Sequence, residues 1–185
     1  MSYEIAQPLF FALSVPNALE AAAGQVQDEV LRSIGTPRLP ALEDLHVTLA
    51  YLGRLDFSIV RVLLALAEET AGRHERFALR TTGLGGFPRP GGARVLWLGV
   101  APQPALDALV ADLWARLEAG RIGFDARPFH PHLTLARFRE PVAIERVAFT
   151  PPEPQLFAVR EFGLFQSQQG PAGTRYRLVG SVPLG

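Results

Sequence analysis

The chain has no cysteine, which excludes disulfides, thiolate nucleophiles and zinc sites built on cysteine. Lysine is missing as well, since all 18 basic residues are arginines. That absence removes Schiff-base chemistry, the phosphate-gripping lysine of a P-loop and any covalent nucleotidyl-lysine intermediate. Net charge is missing too, because 18 acidic side chains balance the arginines. No broad field therefore attracts a nucleic-acid backbone, and a polyanion would have to be gripped locally, by a few residues in a cleft. No run approaches the ~20 apolar residues of a membrane span. The opening stretch MSYEIAQPLFFALSVP has no basic start, and its apolar run is short for a signal peptide. A cytoplasmic protein without membrane association is the expectation.

The 185 residues are 48% hydrophobic and 19% charged, which suits a soluble globular chain with a substantial core. Its organisation is repetitive. An apolar run, Leu9 to Val15, ends at Pro16 and is followed by Leu19, Val26 and Val30 at helical spacing. A second run, Val95 to Val100, ends near Pro102 and is followed by Leu106, Leu109, Val110, Leu113 and Leu117. Each predicted helix leads, through a Gly/Pro-containing stretch, to a short motif: HVTL at 46–49 and HLTL at 132–135. Beyond them FALRTTGL (77–84) is echoed by FAVREFGL (157–164). Leu19 to Leu106, His46 to His132 and Phe77 to Phe157 are separated by 87, 86 and 80 residues.

Three blocks recurring in one order predict a duplicated architecture. The expected fold is α+β: one bilobal domain over 1–185, built from pseudo-two-fold units of roughly 8–90 and 94–182. Mainly antiparallel sheets should face a central cleft, with helices outside. The pattern of Val60, Leu63, Leu64 and Ala67 predicts a helix over 57–71, and TRYRLVGSVPL predicts a last strand closing a sheet. GGFPRPGGAR (85–94) and QSQQGPAGT (166–174) read as loops at the rim of the cleft.

In a strand, residues i and i+2 share a face. His46 and Thr48 should therefore lie together, with Val47, Leu49 and Tyr51 opposite. His132 and Thr134 should repeat the arrangement, with Ala50 and Ala136 leaving room beside each pair. If the lobes face each other, two histidines and two hydroxyls meet at one site. Imidazole has an ordinary pKa of about 6.5, so one ring can be neutral while the other is protonated. Such a pair suits in-line displacement at phosphorus: one ring takes a proton from water and the other donates to the leaving oxygen. The threonines would hold non-bridging phosphate oxygens, and no metal or other cofactor is needed. One HxT triplet alone is weak evidence, and a duplicated fold repeats core residues without implying function. The retention of the polar members at both places favours a shared site. HPH at 130–132, with His46, offers a competing metal site, disfavoured by Pro131 and by the lack of a nearby carboxylate. His130 then reads as a rim residue, and His74 as a solvated surface histidine.

PLFFALSVP, LHVTLAYLG, RVLWLGV, RPFHPHLTLARF and QSQQGPAGTRYR together resemble the bacterial and archaeal RNA 2′,3′-cyclic phosphodiesterases. That family carries the 2′-5′ RNA ligase label and belongs to the two-histidine phosphoesterases. The resemblance implies opening of a 2′,3′-cyclic phosphate at an RNA end, or on a nucleotide, to a 2′-phosphate. It also implies His46 as proton donor to the leaving 3′ oxygen and His132 as the base that activates water. Thr48 and Thr134 match the phosphate-holding threonines, and Arg137 matches an arginine near the phosphate. Arg137 stands an odd five residues after His132, so a regular strand would turn it away unless a bulge intervenes. The family pattern more often has a basic residue where His130 stands. A stacking surface for the terminal base is expected from Phe10 or Phe11, with Phe11 the selected candidate, and from Tyr176. A monomer is the expected state. Two competing readings remain at this level: 2′-5′ end ligation by the same site, and a non-catalytic module that binds nucleotides or RNA ends.

Overall fold

The computed structural model describes residues 6–34, 37–87, 92–144, 149–170 and 173–185. Eleven regular elements follow one another: β1 (Gln7–Ser14), α1 (Ala18–Ile34), β2 (His46–Leu55), α2 (Val60–Ala71), β3 (Phe77–Phe87), β4 (Ala93–Val100), α3 (Pro104–Ala119), β5 (His132–Val142), β6 (Leu156–Val159), β7 (Glu161–Gly170) and β8 (Gly173–Pro183). The helices form where the apolar spacing required them. Leu19, Ala23, Val26 and Val30 make the buried stripe of α1, and Leu106, Leu109, Val110, Leu113 and Leu117 that of α3. Pro104 sits in the first turn of α3, where its missing N–H costs nothing, and Gln103 caps that turn by accepting from the Ala105 N–H.

The strands form one curled antiparallel sheet in the order β6-β3-β4-β5-β2-β1-β7-β8. This α+β architecture matches the expectation in class. The order is a palindrome about the β5–β2 seam, with β1 answering β4, β2 answering β5 and β7 answering β3. At the seam the motif strands pair at Val47↔Leu133. The sequence units are not the spatial halves, however: β3 of the first unit pairs with β4, and β7 of the second pairs with β1. Repetition along a chain fixes the order of elements but not their partners, and here β3 of the first unit and β7 of the second cross to the other half.

The face of the sheet carrying Val47, Leu49, Leu133 and Leu135 packs with the helices into one core. The opposite face is the concave side. Both expected loops are largely strand. β3 runs to Phe87 and β4 begins at Ala93, while β7 and β8 pair out to Gly170↔Gly173. Of these two stretches, residues 88–91 and 171–172 lie outside the described residues. Among the described residues no helix is long and apolar enough to cross a membrane.

Candidate active site

Antiparallel pairing at Val47↔Leu133 puts His46 level with Thr134, and Thr48 level with His132. The two motifs thus form one diagonal set of two imidazoles and two hydroxyls at the bottom of a cleft of about 530 Å³. Val47, Leu49, Leu133 and Leu135 are buried behind them. Among the described residues neither threonine hydroxyl has a hydrogen-bond partner, which leaves both available to a ligand oxygen.

The two histidines are oriented alike. His46 Nδ1 lies 2.7 Å from the Asp44 carbonyl, and His132 Nδ1 lies 2.6 Å from the His130 carbonyl. A carbonyl only accepts, so each Nδ1 carries the proton, and each Nε2 is the atom that exchanges one. Burial holds both imidazoles below the ordinary histidine value, although the two carbonyls pull the other way. The Arg137 charge depresses both rings further, and His132 depresses His46.

Aromatic side chains enclose both rings. Phe10, Tyr176 and Phe165 surround His46, with ring centroids at 4.9, 4.8 and 6.4 Å. Phe87 and Trp97 flank His132 at 5.1 and 6.2 Å. By register Trp97, opposite Thr134, occupies the place in β4 that Ala12, opposite Thr48, has in β1. Its large ring fits because its cross-strand neighbour is Gly85, where a Cβ would come within 2.2 Å of the indole.

Arg137 does reach the cleft, and the pairing of β4 with β5 shows how. The register slips by one residue between Leu96 and Trp97, so Leu135 is extra and the strand's alternation reverses. Leu135 and Ala136 are both buried, and Arg137 emerges on the side of His132 and Thr134. The same slip occurs in β2, between Phe11 and Ala12 of its partner, with Leu49 as the extra residue. Tyr51, expected on the buried face, consequently lines the cleft at 45% exposure. Ala50 and Ala136, expected to leave room on the polar face, turn into the core for the same reason.

Other expectations need correction. Phe11 is 0% exposed, edge-on to Phe162 in the core, and cannot stack on a ligand in the cleft. Phe10 takes the cleft side of β1 but is covered by His46 and Tyr176. Tyr176, half-buried, does line the cleft. His130 is an exposed rim residue, edge-on to Phe87 and Trp97. Among the described residues no group of three His, Cys, Asp or Glu side chains is placed to hold a metal ion. His74 is not a free surface group: it lies 3.3 Å from Asp112 Oδ2.

Sequence reasoning missed several residues in and around this cleft. Arg38 lines it from a segment whose N–H and C=O both pair with Arg137, at 2.9 and 2.8 Å. Arg175, on β8, binds Asp44 Oδ2 at 2.6 Å and Glu43 Oε1 at 2.9 Å, tying the strand of Tyr176 to the turn that orients His46. Trp114 and Phe129 complete the wall beyond Tyr51. Asp125 and Arg127 pair with each other there, and the Asp125 N–H donates to the Tyr51 carbonyl.

The concave antiparallel sheet brings the paired HxT strands together at one cleft, with one imidazole from each half. Residues 15–171 match the model of the 2′-5′ RNA ligase superfamily, and the chain belongs to that family. It is 33% identical over 179 residues to the RNA 2′,3′-cyclic phosphodiesterase of Escherichia coli K12, covering 92% of each chain. It is 34% identical to that of Thermus thermophilus, covering 92% of this chain and 87% of the relative. The fold superimposes on a crystal structure of a Thermus thermophilus protein with a TM-score of 0.80 at 29% identity, covering 96% and 97% of the two chains. It superimposes on E. coli LigT complexed with 3′-AMP with a TM-score of 0.78 at 31% identity, covering 97% and 98%.

Proposed function

We propose that this protein hydrolyses 2′,3′-cyclic phosphates at RNA ends, or on nucleotides, to 2′-phosphates. The observation that carries the reading is the matched pair of Nδ1-anchored histidines with a threonine beside each. The relatives named RNA 2′,3′-cyclic phosphodiesterase support it, and so does the 3′-AMP complex of LigT.

In the reaction, the phosphate lies between the two Nε2 atoms, with Thr48, Thr134 and Arg137 on its non-bridging oxygens. His132 takes a proton from water as the water oxygen bonds to phosphorus. The bond from phosphorus to the 3′ oxygen breaks, and His46 gives that oxygen its proton. The product is a 2′-phosphomonoester beside a 3′-hydroxyl. His46 is left neutral and His132 protonated, and exchange with solvent resets the pair. Tyr176, edge-on to His46, borders the side from which the 3′ oxygen departs.

Incubating the protein with an oligonucleotide ending in a 2′,3′-cyclic phosphate, and resolving the product ends, tests the reading. A 2′-phosphate is expected. A 3′-phosphate product would require in-line attack from the other side and would refute the assigned roles.

The lowered imidazole values carry a second expectation. In the free protein the pair titrates on the acid side of 6.5, so the profile of kcat/KM should peak below that pH and fall as pH rises. An anionic phosphate between the rings favours imidazolium and raises both values. The kcat profile should therefore be displaced to higher pH, and two coincident pH–rate profiles would contradict the account.

A further inference from the structure

The slip that brings Arg137 into the cleft leaves a backbone group to satisfy. Leu135, the extra residue of β5, is fully buried, and its carbonyl accepts from Gln27 Nε2 of α1 at 3.1 Å. The second hydrogen of the same amide goes to the Pro40 carbonyl at 3.0 Å. The slip in β2 is treated alike: the Leu49 carbonyl accepts from Trp114 Nε1 of α3 at 2.9 Å. Gln27 and Trp114 are 87 residues apart, the spacing that relates Leu19 to Leu106. Each helix therefore grips the motif strand of the other repeat unit.

We propose that Gln27 is a positioning residue for the arginine end of the cleft. The inference rests on the reading that Arg137 binds the reacting phosphate. Gln27 is 7% exposed, on a helix face otherwise made of Leu19, Ala23, Val26 and Val30, where packing alone asks for a hydrocarbon. Its amide spends both hydrogens on two carbonyls. One belongs to the slip that turns Arg137 towards His132. The other belongs to the segment whose Arg38 backbone pairs with Arg137. One side chain thus fixes both stretches that hold Arg137: its own strand and the segment paired with its backbone. Without it the Leu135 carbonyl is buried and unpaired, which a one-residue change of register would relieve. That change also returns Arg137 to the opposite face.

Gln27→Met keeps the length of the side chain and removes its donors. The test compares wild type, Gln27→Met, Arg137→Met and the double variant on 2′,3′-cyclic AMP, together with inorganic phosphate binding by calorimetry. Gln27→Met is expected to raise KM and the phosphate Kd about tenfold, with a smaller change in kcat. The double variant should be no worse than Arg137→Met alone, because Gln27 acts through Arg137. Gln27→His, whose ring can donate to one carbonyl, should fall between Gln27→Met and wild type, and it serves as the assay variant if Gln27→Met unfolds. Multiplicative effects in the double variant, or wild-type phosphate affinity in Gln27→Met, would overturn the proposal. No turnover by the wild-type protein would instead refute the phosphodiesterase reading, and phosphate binding would still report on Gln27.

Discussion

Alanine at His46 or at His132 is expected to lower kcat on a cyclic phosphate by about 10²- to 10⁴-fold, the range for removing a positioned general acid or base. Both rings face the cleft, and neither belongs to the core that joins the sheet to its helices. The loss should therefore appear in turnover with the fold retained, measured as steady-state kinetics beside a thermal melt. The two losses should not multiply. A proton given and a proton taken belong to one displacement, so the variant lacking both rings should be little slower than either single variant. Losses that multiply fully would mean that the histidines act in separate steps.

Valine at Thr48 or Thr134 is the second large effect. Valine preserves the branched shape and removes only the hydroxyl, and each replacement should lower kcat/KM by about 10²-fold, the scale for losing one donor to a developing oxyanion. The register places each hydroxyl level with the histidine of the other motif strand, so each threonine serves the half of the cleft to which it does not belong. The affinity for a nucleotide product should weaken less than kcat/KM, because charge on the non-bridging oxygens is greatest in transit. Valine variants with unchanged kcat/KM would remove the threonines from the phosphate site.

Much of this is legible in the sequence, for particular reasons. His46, Thr48, His132 and Thr134 follow from two-residue alternation, which holds up to Leu49 and Leu135. It fails just beyond them, because one extra residue reverses every side chain that follows. Tyr51, Ala50 and Ala136 depart from the expected faces for that reason, while the odd spacing of Arg137 from His132 does signal a bulge. Alternation puts Phe10 and Phe11 on opposite faces, but which face is the cleft depends on pairing with β2 and β7. The exchange of β3 and β7 between halves has no local signal, since antiparallel partners are chosen across the sheet. Arg38, Arg175, Gln27 and Trp114 act through backbone carbonyls or distant carboxylates, contacts that no motif spacing records.

The central claim is that two similar histidines have opposite jobs, and a substrate with sulfur in place of its bridging 3′ oxygen tests it most directly. A thiolate departs without being protonated, whereas an alkoxide does not. On that substrate His46→Ala should recover most of the wild-type rate, because the step it impairs is no longer needed. His132→Ala should remain slow, since water must still be activated. Recovery of His132→Ala instead, or equal recovery of both variants, would contradict the assignment.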